Sequence, residues 1–201
     1  AVGVCPVGCA VFMYEYLECD MIEAAHGRAP AVATGVKRVL QEAVVFTYQG
    51  DGDLAAIGMA ETVHAASRGE NITVVFINNG TYGMTGGQMA PTTLVGERTT
   101  TCPSGRRPET AGYPIKVCEL LSSLEGPSYI ARVAPVSPAG ITQTKAAIKK
   151  AFQKQLDGRG FALVEVLSNC PTQWKMTPTE SLNWIKEKAV QYFPLGEFVD
   201  R

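Results

Sequence analysis

The sequence predicts an α/β fold, a three-layer sandwich with a mainly parallel central sheet. Two observations lead to this prediction: short segments are apolar almost throughout, and helical segments separate them. The apolar segments are Val44–Tyr48, Ile72–Ile77, Tyr129–Val133 and Phe161–Leu167. Such strands are typical of parallel sheets buried on both faces. A helix between two of them indicates a right-handed parallel crossover.

Helices are predicted from apolar spacing and from the turn residues that end them. Residues 53–68 place apolar side chains at helical spacing, and Gly69 follows as a C-cap. Residues 139–156 are rich in Ala, Lys and Gln, and Asp157-Gly158 closes that segment. Further helices are predicted over residues 31–40, 115–124 and 179–192. This alternation with strands is what an α/β sandwich requires.

The stretch from Tyr82 to Pro114 breaks the alternation, because it is full of Gly, Thr and Pro. Loops of this length are uncommon unless they are functional or disordered, so we expect a site where this one begins. Its three arginines, Arg98, Arg106 and Arg107, are predicted to lie in a solvated loop.

Composition limits the possible partners. The length of 201 residues predicts one domain over residues 1–201. A formal net charge of -1 gives no basic field for nucleic acid or an anionic membrane. No apolar run approaches the roughly 20 residues that cross a bilayer. The chain is therefore predicted to be soluble and cytoplasmic. Because it opens without Met, we expect that an N-terminal segment is missing.

Oxygen-rich turns follow two of the predicted strands. Gly50-Asp51-Gly52-Asp53 comes after the first strand and opens a helix, which is where open parallel sheets bind phosphate groups. Asn78-Asn79-Gly80-Thr81 ends the next strand. Carboxylate, amide and carbonyl oxygens suit Mg²⁺, with phosphate oxygens completing the octahedron. Asp51, Asn79 and the carbonyl of Thr81 are therefore the predicted ligands.

Gly-Asp-Gly alone is also an ordinary turn sequence. Together with the Asn pair it resembles the signature of thiamine-diphosphate enzymes. Further motifs extend the resemblance over nearly the whole chain: His26-Gly27-Arg28-Ala29, Ala33-Thr34-Gly35, Tyr82 to Gln88 and Pro91-Thr92-Thr93. The chain thereby resembles the β subunit of 2-oxoacid:ferredoxin oxidoreductases. Pro6 to Cys9, Glu23 to His26 and Gln88 to Pro91 are similar to the branched-chain, 2-oxoisovalerate type.

The resemblance implies a thiamine-diphosphate-binding fold and a set of site residues. Mg²⁺ falls on Asp51, Asn79 and Thr81. The implied cofactor contacts are Val7, Gly8, Cys9, Ala10, His26, Gly52, Asp53, Gly83, Met84, Thr85, Gly86, Gly87 and Gln88. For His26 the alternative is a structural role in a turn, and His64 is predicted to pack or to face solvent.

The resemblance also implies the reaction and the partners. The reaction is the oxidative decarboxylation of a 2-oxoacid with coenzyme A, and its electrons pass to ferredoxin. The carboxylate that activates the cofactor is expected on a pyrimidine-binding α subunit, and γ and δ subunits are possible further partners. Phe12 and Gly86 offer no cation to a second carboxylate, which favours a branched or otherwise apolar 2-oxoacid.

Cysteines carry the electron-transfer prediction. The family's [4Fe-4S] cluster uses a Cys-x-x-Cys pair and two later cysteines, which Cys9 and Cys170 match. The Cys-x-x-Cys pair is absent, and we expect it in sequence missing from the front. The chain should therefore not hold a cluster alone. Cys19, Cys102 and Cys118 are predicted to be buried and inert.

Three rival interpretations remain. A non-redox thiamine-diphosphate decarboxylase or carboligase shares the diphosphate motif, although its chain is usually far longer. A phosphate-binding regulatory module would use Gly50 to Asp53 without redox chemistry. A structural zinc protein lacks support, because no four-ligand spacing is present.

Overall fold

The computed structural model describes residues 1–201 and confirms the α/β sandwich. Its strands are β1 (Val2–Pro6), β2 (Asp20–Ala24), β3 (Val45–Gly50), β4 (Thr73–Asn78), β5 (Thr81–Tyr82), β6 (Gln88–Met89), β7 (Pro127–Val133), β8 (Phe161–Leu167) and β9 (Gly196–Asp200). Seven of them form one sheet in the order β2-β1-β3-β4-β8-β7-β9. All neighbours pair in parallel except β7 and β9. The sheet is therefore mainly parallel, as predicted.

Helices cover both faces of this sheet. They are α1 (Ala29–Val39), α2 (Met59–Ser67), α3 (Pro108–Ala111), α4 (Val117–Ser122), α5 (Pro138–Leu156), α6 (Pro171–Trp174), α7 (Pro178–Trp184) and α8 (Val190–Tyr192). Ala33, Ala66 and Leu121 of α1, α2 and α4 pack in one apolar core. Ala147 and Ala151 of α5 pack in a second, on different strand residues. No helix combines the length and the hydrophobicity that a bilayer crossing requires.

Several elements differ from the prediction. Strands β1, β2 and β9 were not predicted: all three are short, and the outer strands β2 and β9 are mostly exposed. The helix predicted over residues 53–68 is interrupted. A π-helical turn, Gly52–Ile57, precedes α2, and Gly58 N donates to the Asp53 carbonyl at 2.8 Å. Only α4 forms within the segment predicted over residues 115–124.

The C-terminal helical segment is also divided. A capping box between Thr177 and Glu180 starts α7, and a π-helical turn, Ile185–Ala189, separates α7 from α8. The predicted helix over residues 179–192 is thus three consecutive helical pieces.

Arg106 corrects the prediction of a solvated loop. Its guanidinium is buried and donates to backbone carbonyls of the loop itself. The acceptors are Ala90, Pro91, Thr93, Ala111, Gly112 and Tyr113, at 2.7 to 3.3 Å. The loop is therefore ordered around one arginine, whereas Arg98 and Arg107 are exposed.

The three cysteines predicted to be inert differ in burial. Cys118 is fully buried, and burial raises the pKa of its thiol, as does Glu165. Cys19 and Cys102 are only half-buried, so the prediction of burial is wrong for both. Each lies on irregular chain near the surface, where packing cannot enclose a side chain on all sides.

Candidate functional site

The predicted site residues meet where the parallel strands end. β1 has β2 on one side and β3 on the other, so the connections that follow β1 and β2 lead to opposite sides of β1 in the sheet. A crevice at the carboxyl ends of strands forms at such a position. A cavity of about 300 Å³ lies there. The predicted residues that line it are Val7, Gly8, Cys9, Ala10, His26, Asp51, Gly52, Asp53, Asn79, Thr81, Gly83, Met84 and Thr85.

Asp51 is the charged centre of this cavity. It follows β3 and is 3% exposed. Its carboxylate accepts from Gly52 N at 2.8 Å, from Thr81 N at 3.0 Å and from the Thr92 hydroxyl at 3.4 Å. All of these donors are neutral. Burial therefore dominates and raises the pKa of Asp51 to about 7, although the hydrogen bonds oppose the rise.

The turn after β4 places its oxygen atoms beside Asp51. Thr81 N lies 3.0 Å from Asp51 Oδ2 and 3.2 Å from Asn79 Oδ1, so one backbone amide joins the two side chains. The Thr93 hydroxyl donates to the Gly80 carbonyl at 2.6 Å and so attaches this turn to the long loop. The predicted ligands Asp51, Asn79 and Thr81 are thus neighbours in space.

These three residues fit a hard divalent cation. A buried carboxylate that has only neutral donors leaves its charge uncompensated, and a cation would remove that cost. Asp51 supplies the one carboxylate, and no group of three His, Cys, Asp or Glu side chains converges anywhere in the chain. Phosphate oxygens would have to complete the coordination, as is usual for Mg²⁺.

His26 and Asp53 form a hydrogen-bonded pair in the cavity wall. His26 Nδ1 lies 2.7 Å from Asp53 Oδ1, and Gly27 N donates to the same oxygen at 2.5 Å. The other oxygen of Asp53 accepts from Gln49 Nε2 at 2.7 Å. Asp53 is 2% exposed, so its carboxylate is fully occupied by groups of this chain.

Two glycines allow the backbone to approach this closely. Gly27 has a φ of +77°, and a Cβ there would lie 2.8 Å from Gly58 N and from the Ile57 carbonyl carbon. A Cβ on Gly52 would lie 2.8 Å from the ring of Tyr82. Any side chain at either position would push apart the turns that form the cavity.

Cys9 and Cys170 come together beside Gly83. A Cβ on Gly83 would lie 3.4 Å from Cys9 Sγ and 3.5 Å from Cys170 Sγ, so both sulfurs face one point. Burial raises the pKa of the Cys170 thiol, and Cys9 and Asp51 raise it further. Two thiols fit half of the ligand set of a four-iron cluster, which needs four.

The end of the glycine-rich turn lies outside the cavity lining. Gly86, Gly87 and Gln88 were expected to contact the cofactor, but none of them lines the cavity. The Gln88 amide donates to the Thr85 carbonyl at 2.7 Å and accepts from the Thr85 hydroxyl at 2.6 Å, which closes the turn.

Four residues of the candidate site were not among the predicted contacts: Tyr48, Gln49, Tyr82 and Thr92, of which Tyr82 and Thr92 belong to motifs that carry the resemblance. Tyr48 and Tyr82 line the cavity. Gln49 is fully buried behind Asp53. Gln49 could have been recognised from the sequence, because Thr47 and Gln49 are polar residues at alternate positions of a strand that is otherwise apolar and mostly buried. Thr92 belongs to the Pro91-Thr92-Thr93 motif, but its contact with Asp51 could not be predicted, since only the fold of the long loop brings the two residues together.

A second, apolar cavity adjoins the first. Its volume is about 610 Å³, and Cys9 and Tyr48 line both cavities. Its other walls include Phe12, Phe46 and Phe152. The linings of the two cavities contain no lysine or arginine.

Comparisons with known proteins give a consistent result. Residues 6–166 match the family model described as thiamine pyrophosphate enzyme, C-terminal TPP binding domain. The ketoisovalerate oxidoreductase subunit VorA of Methanothermobacter thermautotrophicus is 54% identical over 201 residues, which are 100% of this chain and 42% of that protein. The 2-oxoglutarate synthase subunit KorB of Methanocaldococcus jannaschii is 37% identical over 94% of this chain and 67% of that protein.

A solved structure is similar in fold. The 2-oxoglutarate:ferredoxin oxidoreductase from Magnetococcus marinus matches with a TM-score of 0.79 at 24% identity, over 100% of this chain and 71% of that one. The chain spans less than half the length of the VorA subunit.

Proposed function

Since the chain belongs to the 2-oxoacid:ferredoxin oxidoreductase family of thiamine pyrophosphate enzymes, we propose that its cavity holds the diphosphate of thiamine diphosphate together with Mg²⁺. The observation that carries the proposal is the buried carboxylate of Asp51, which has neutral donors only and lies beside Asn79 and Thr81. These three residues would hold the cation. The chain after β3 would bind the diphosphate, because Gly50 lines the cavity and no atom lies within 4 Å of the position a Cβ would take there, which leaves the backbone open to a ligand.

The proposed reaction is the coenzyme-A-dependent oxidative decarboxylation of a 2-oxoacid, with electrons passed to ferredoxin. Bound thiamine diphosphate would supply the electron sink for the loss of carbon dioxide. The residues of this chain bind and orient it. Gly8 and Ala10 form one wall of the cavity, and the Tyr82 ring packs on Gly52 to form another. The activating carboxylate is expected from a pyrimidine-binding α subunit, so activity needs that partner.

Cys9 and Cys170 support a role in electron transfer. We assign them as two of the four thiolates of a [4Fe-4S] cluster, because their sulfurs face one point beside the cavity. The other two thiolates must come from elsewhere in the protein, since no third cysteine joins this pair. γ and δ subunits and ferredoxin are the further partners of this proposal.

A branched or otherwise apolar 2-oxoacid is the proposed substrate. The cofactor cavity adjoins an apolar one, and neither lining offers a cation to a second carboxylate. Phe12 and Met84 are exposed beside these cavities and are free to contact an aliphatic group.

The test is viologen reduction by the complete subunit set under anaerobic conditions. Coenzyme-A-dependent rates are compared for 3-methyl-2-oxobutanoate, pyruvate and 2-oxoglutarate. Asp51→Ala is expected to abolish reduction, whereas Asp157→Asn, which changes an exposed aspartate that lines neither cavity, is expected to leave it unchanged. Preference for 2-oxoglutarate would contradict the assignment of an apolar substrate.

A cofactor-loaded complex with intact clusters that reduces no viologen would exclude the oxidoreductase. That result would favour the non-redox decarboxylase. Binding of nucleotides in place of thiamine diphosphate with Mg²⁺ would favour the regulatory module.

A further inference from the structure

The hydrogen bonds behind His26 determine which of its ring nitrogens carries the proton. Asp53 Oδ1 accepts from Gly27 N, and Oδ2 accepts from Gln49 Nε2. Both oxygens therefore already accept a hydrogen bond from an N–H group, so the carboxylate acts as an acceptor on each side. His26 Nδ1, at 2.7 Å from Oδ1, must then be the donor.

The orientation of Asp53 is itself fixed from the core. The Thr47 hydroxyl donates to Gln49 Oε1 at 2.8 Å, which turns the Gln49 amide so that its Nε2 faces Asp53. Thr47 and Gln49 are fully buried within β3. Gly27 is held against Gly58 and Ile57 by direct backbone contact. A rigid strand and a rigid turn thus hold the carboxylate from both sides.

We infer that Asp53 is a positioning residue that fixes His26 as the Nδ1–H tautomer and leaves Nε2 as the only ring nitrogen available to the cofactor. His26 lines the cavity and 42% of its side chain is exposed, whereas Asp53 is 2% exposed and has no free oxygen. The inference rests on the proposed function for the identity of the ligand. It assigns different roles to two residues that the sequence grouped together as cofactor contacts.

Histidine ring ¹⁵N spectra test the tautomer directly. The chain has two histidines, and His64 is exposed on α2, so it serves as an internal reference. The complete protein is labelled with ¹⁵N in its histidine rings, and His26→Gln identifies the His26 signals. At about pH 8.5, where an ordinary imidazole is neutral, His26 should show Nδ1–H and an unprotonated Nε2. An Nε2–H tautomer in the unaltered protein would overturn the inference.

Variants of Asp53 separate positioning from packing. Asp53→Ala removes the acceptor, so His26 should move towards the Nε2–H tautomer. Asp53→Asn keeps the shape and one acceptor, so it should give an intermediate result. Affinity for thiamine diphosphate with Mg²⁺ should fall by about 10- to 100-fold in Asp53→Ala, the range that outer-shell partners of histidine contribute at metal sites. His26 spectra that do not change in a folded Asp53→Ala protein would contradict the inference.

Addition of the cofactor separates this inference from the proposed function. Thiamine diphosphate with Mg²⁺ should shift the Nε2 signal of His26 and leave both His64 signals in place. Binding detected by calorimetry without an Nε2 shift would overturn the inference. No binding by a complete protein that has the expected tautomer would overturn the proposed function and support the role of Asp53.

Discussion

Two buried carboxylates, Glu165 and Asp51, have opposite surroundings. Glu165 on β8 is fully buried, and it accepts from Arg132 Nε at 2.8 Å and from Asn78 Nδ2 at 2.7 Å. Asp51 is almost as deeply buried but has neutral donors only. The protein therefore supplies its own cation to one carboxylate and none to the other. A buried carboxylate without a charged partner at the carboxyl edge of a sheet is therefore a better indication of a candidate functional site than burial alone.

Asn78 joins the two regions. Its Nδ2 donates to Glu165, while its Oδ1 accepts from Gly80 N at 3.2 Å. The turn that contains Asn79 is thus attached to a closed ion-pair network in the core. Arg132 completes that network through Glu119, at 2.6 Å, and its guanidinium lies 5.2 Å from the ring centre of Phe193. The buried network of Glu165, Arg132 and Glu119 thus supports the turn after β4 that carries Asn79.

The largest expected effect is the loss of the internal cation. Arg132→Met leaves Glu165 buried without a charge partner, and the free energy of unfolding should fall by about 3–5 kcal/mol. Urea denaturation of the complete protein measures it. Adding Glu165→Gln should recover part of the loss, because it removes the unpaired charge. Arg159→Met, at an exposed arginine, is the matched control. Equal losses in the two arginine variants would mean that the ion pair is not what stabilises this region.

The second prediction is that a substitution at Asp51 affects cofactor binding more than stability, which is the opposite of the effect expected at Arg132. Asp51→Asn removes a buried charge that has no partner, so the stability of the cofactor-free protein should change by less than about 1 kcal/mol. Affinity for thiamine diphosphate with Mg²⁺ should nevertheless fall more than the roughly 10- to 100-fold that outer-shell residues contribute. Calorimetry measures the affinity, and urea denaturation of the same samples measures the free energy of unfolding. A large loss of stability with normal affinity would show that Asp51 is structural, as Glu165 is.

A third prediction concerns the loop that supports Asp51. Arg106 holds the segment that carries Thr92 and Thr93, whose hydroxyls donate to Asp51 and to the Gly80 carbonyl. Lysine has three donors where arginine has five in a fixed plane. Arg106→Lys should therefore lower the free energy of unfolding by about 1–3 kcal/mol. It should also weaken cofactor binding, whereas Arg107→Lys, at an exposed neighbour, should alter neither quantity.

The sequence predicts the central strands and the local turns well. β8 lies where its apolar run predicts it, Phe161–Leu167, because residues buried on both faces leave an uninterrupted signal. The outer strand β2 leaves no such signal, since most of its residues are exposed. Asp51 and Asn79 were recognisable because each belongs to a short motif directly after a strand.

The pairs within the site could not be predicted from the sequence. His26 follows β2 and Asp53 follows β3, and β1 lies between those strands, so their contact depends on the strand order. Arg106 appeared solvated because its six acceptors are backbone carbonyls, which no residue type indicates. Motifs thus locate the site, whereas the roles within it depend on tertiary contacts.

The smallest expected effect lies at the surface, where charges are paired but not buried. Lys150 and Lys154 contact Asp200 at 2.8 and 2.9 Å, and their hydrogen bonds lower the pKa of Asp200 from 3.8 to about 2. Because the folded-state pKa is depressed, the stabilisation is present above the ordinary pKa and is lost as pH falls from about 4 towards 2. Asp200→Asn should therefore flatten the acid side of the stability profile by a small amount, measured by urea denaturation between about pH 2 and 5. Added salt should remove most of that difference, since exposed pairs are screened. A difference that persists in high salt would mean that this pair is as closed to solvent as Arg132 and Glu165.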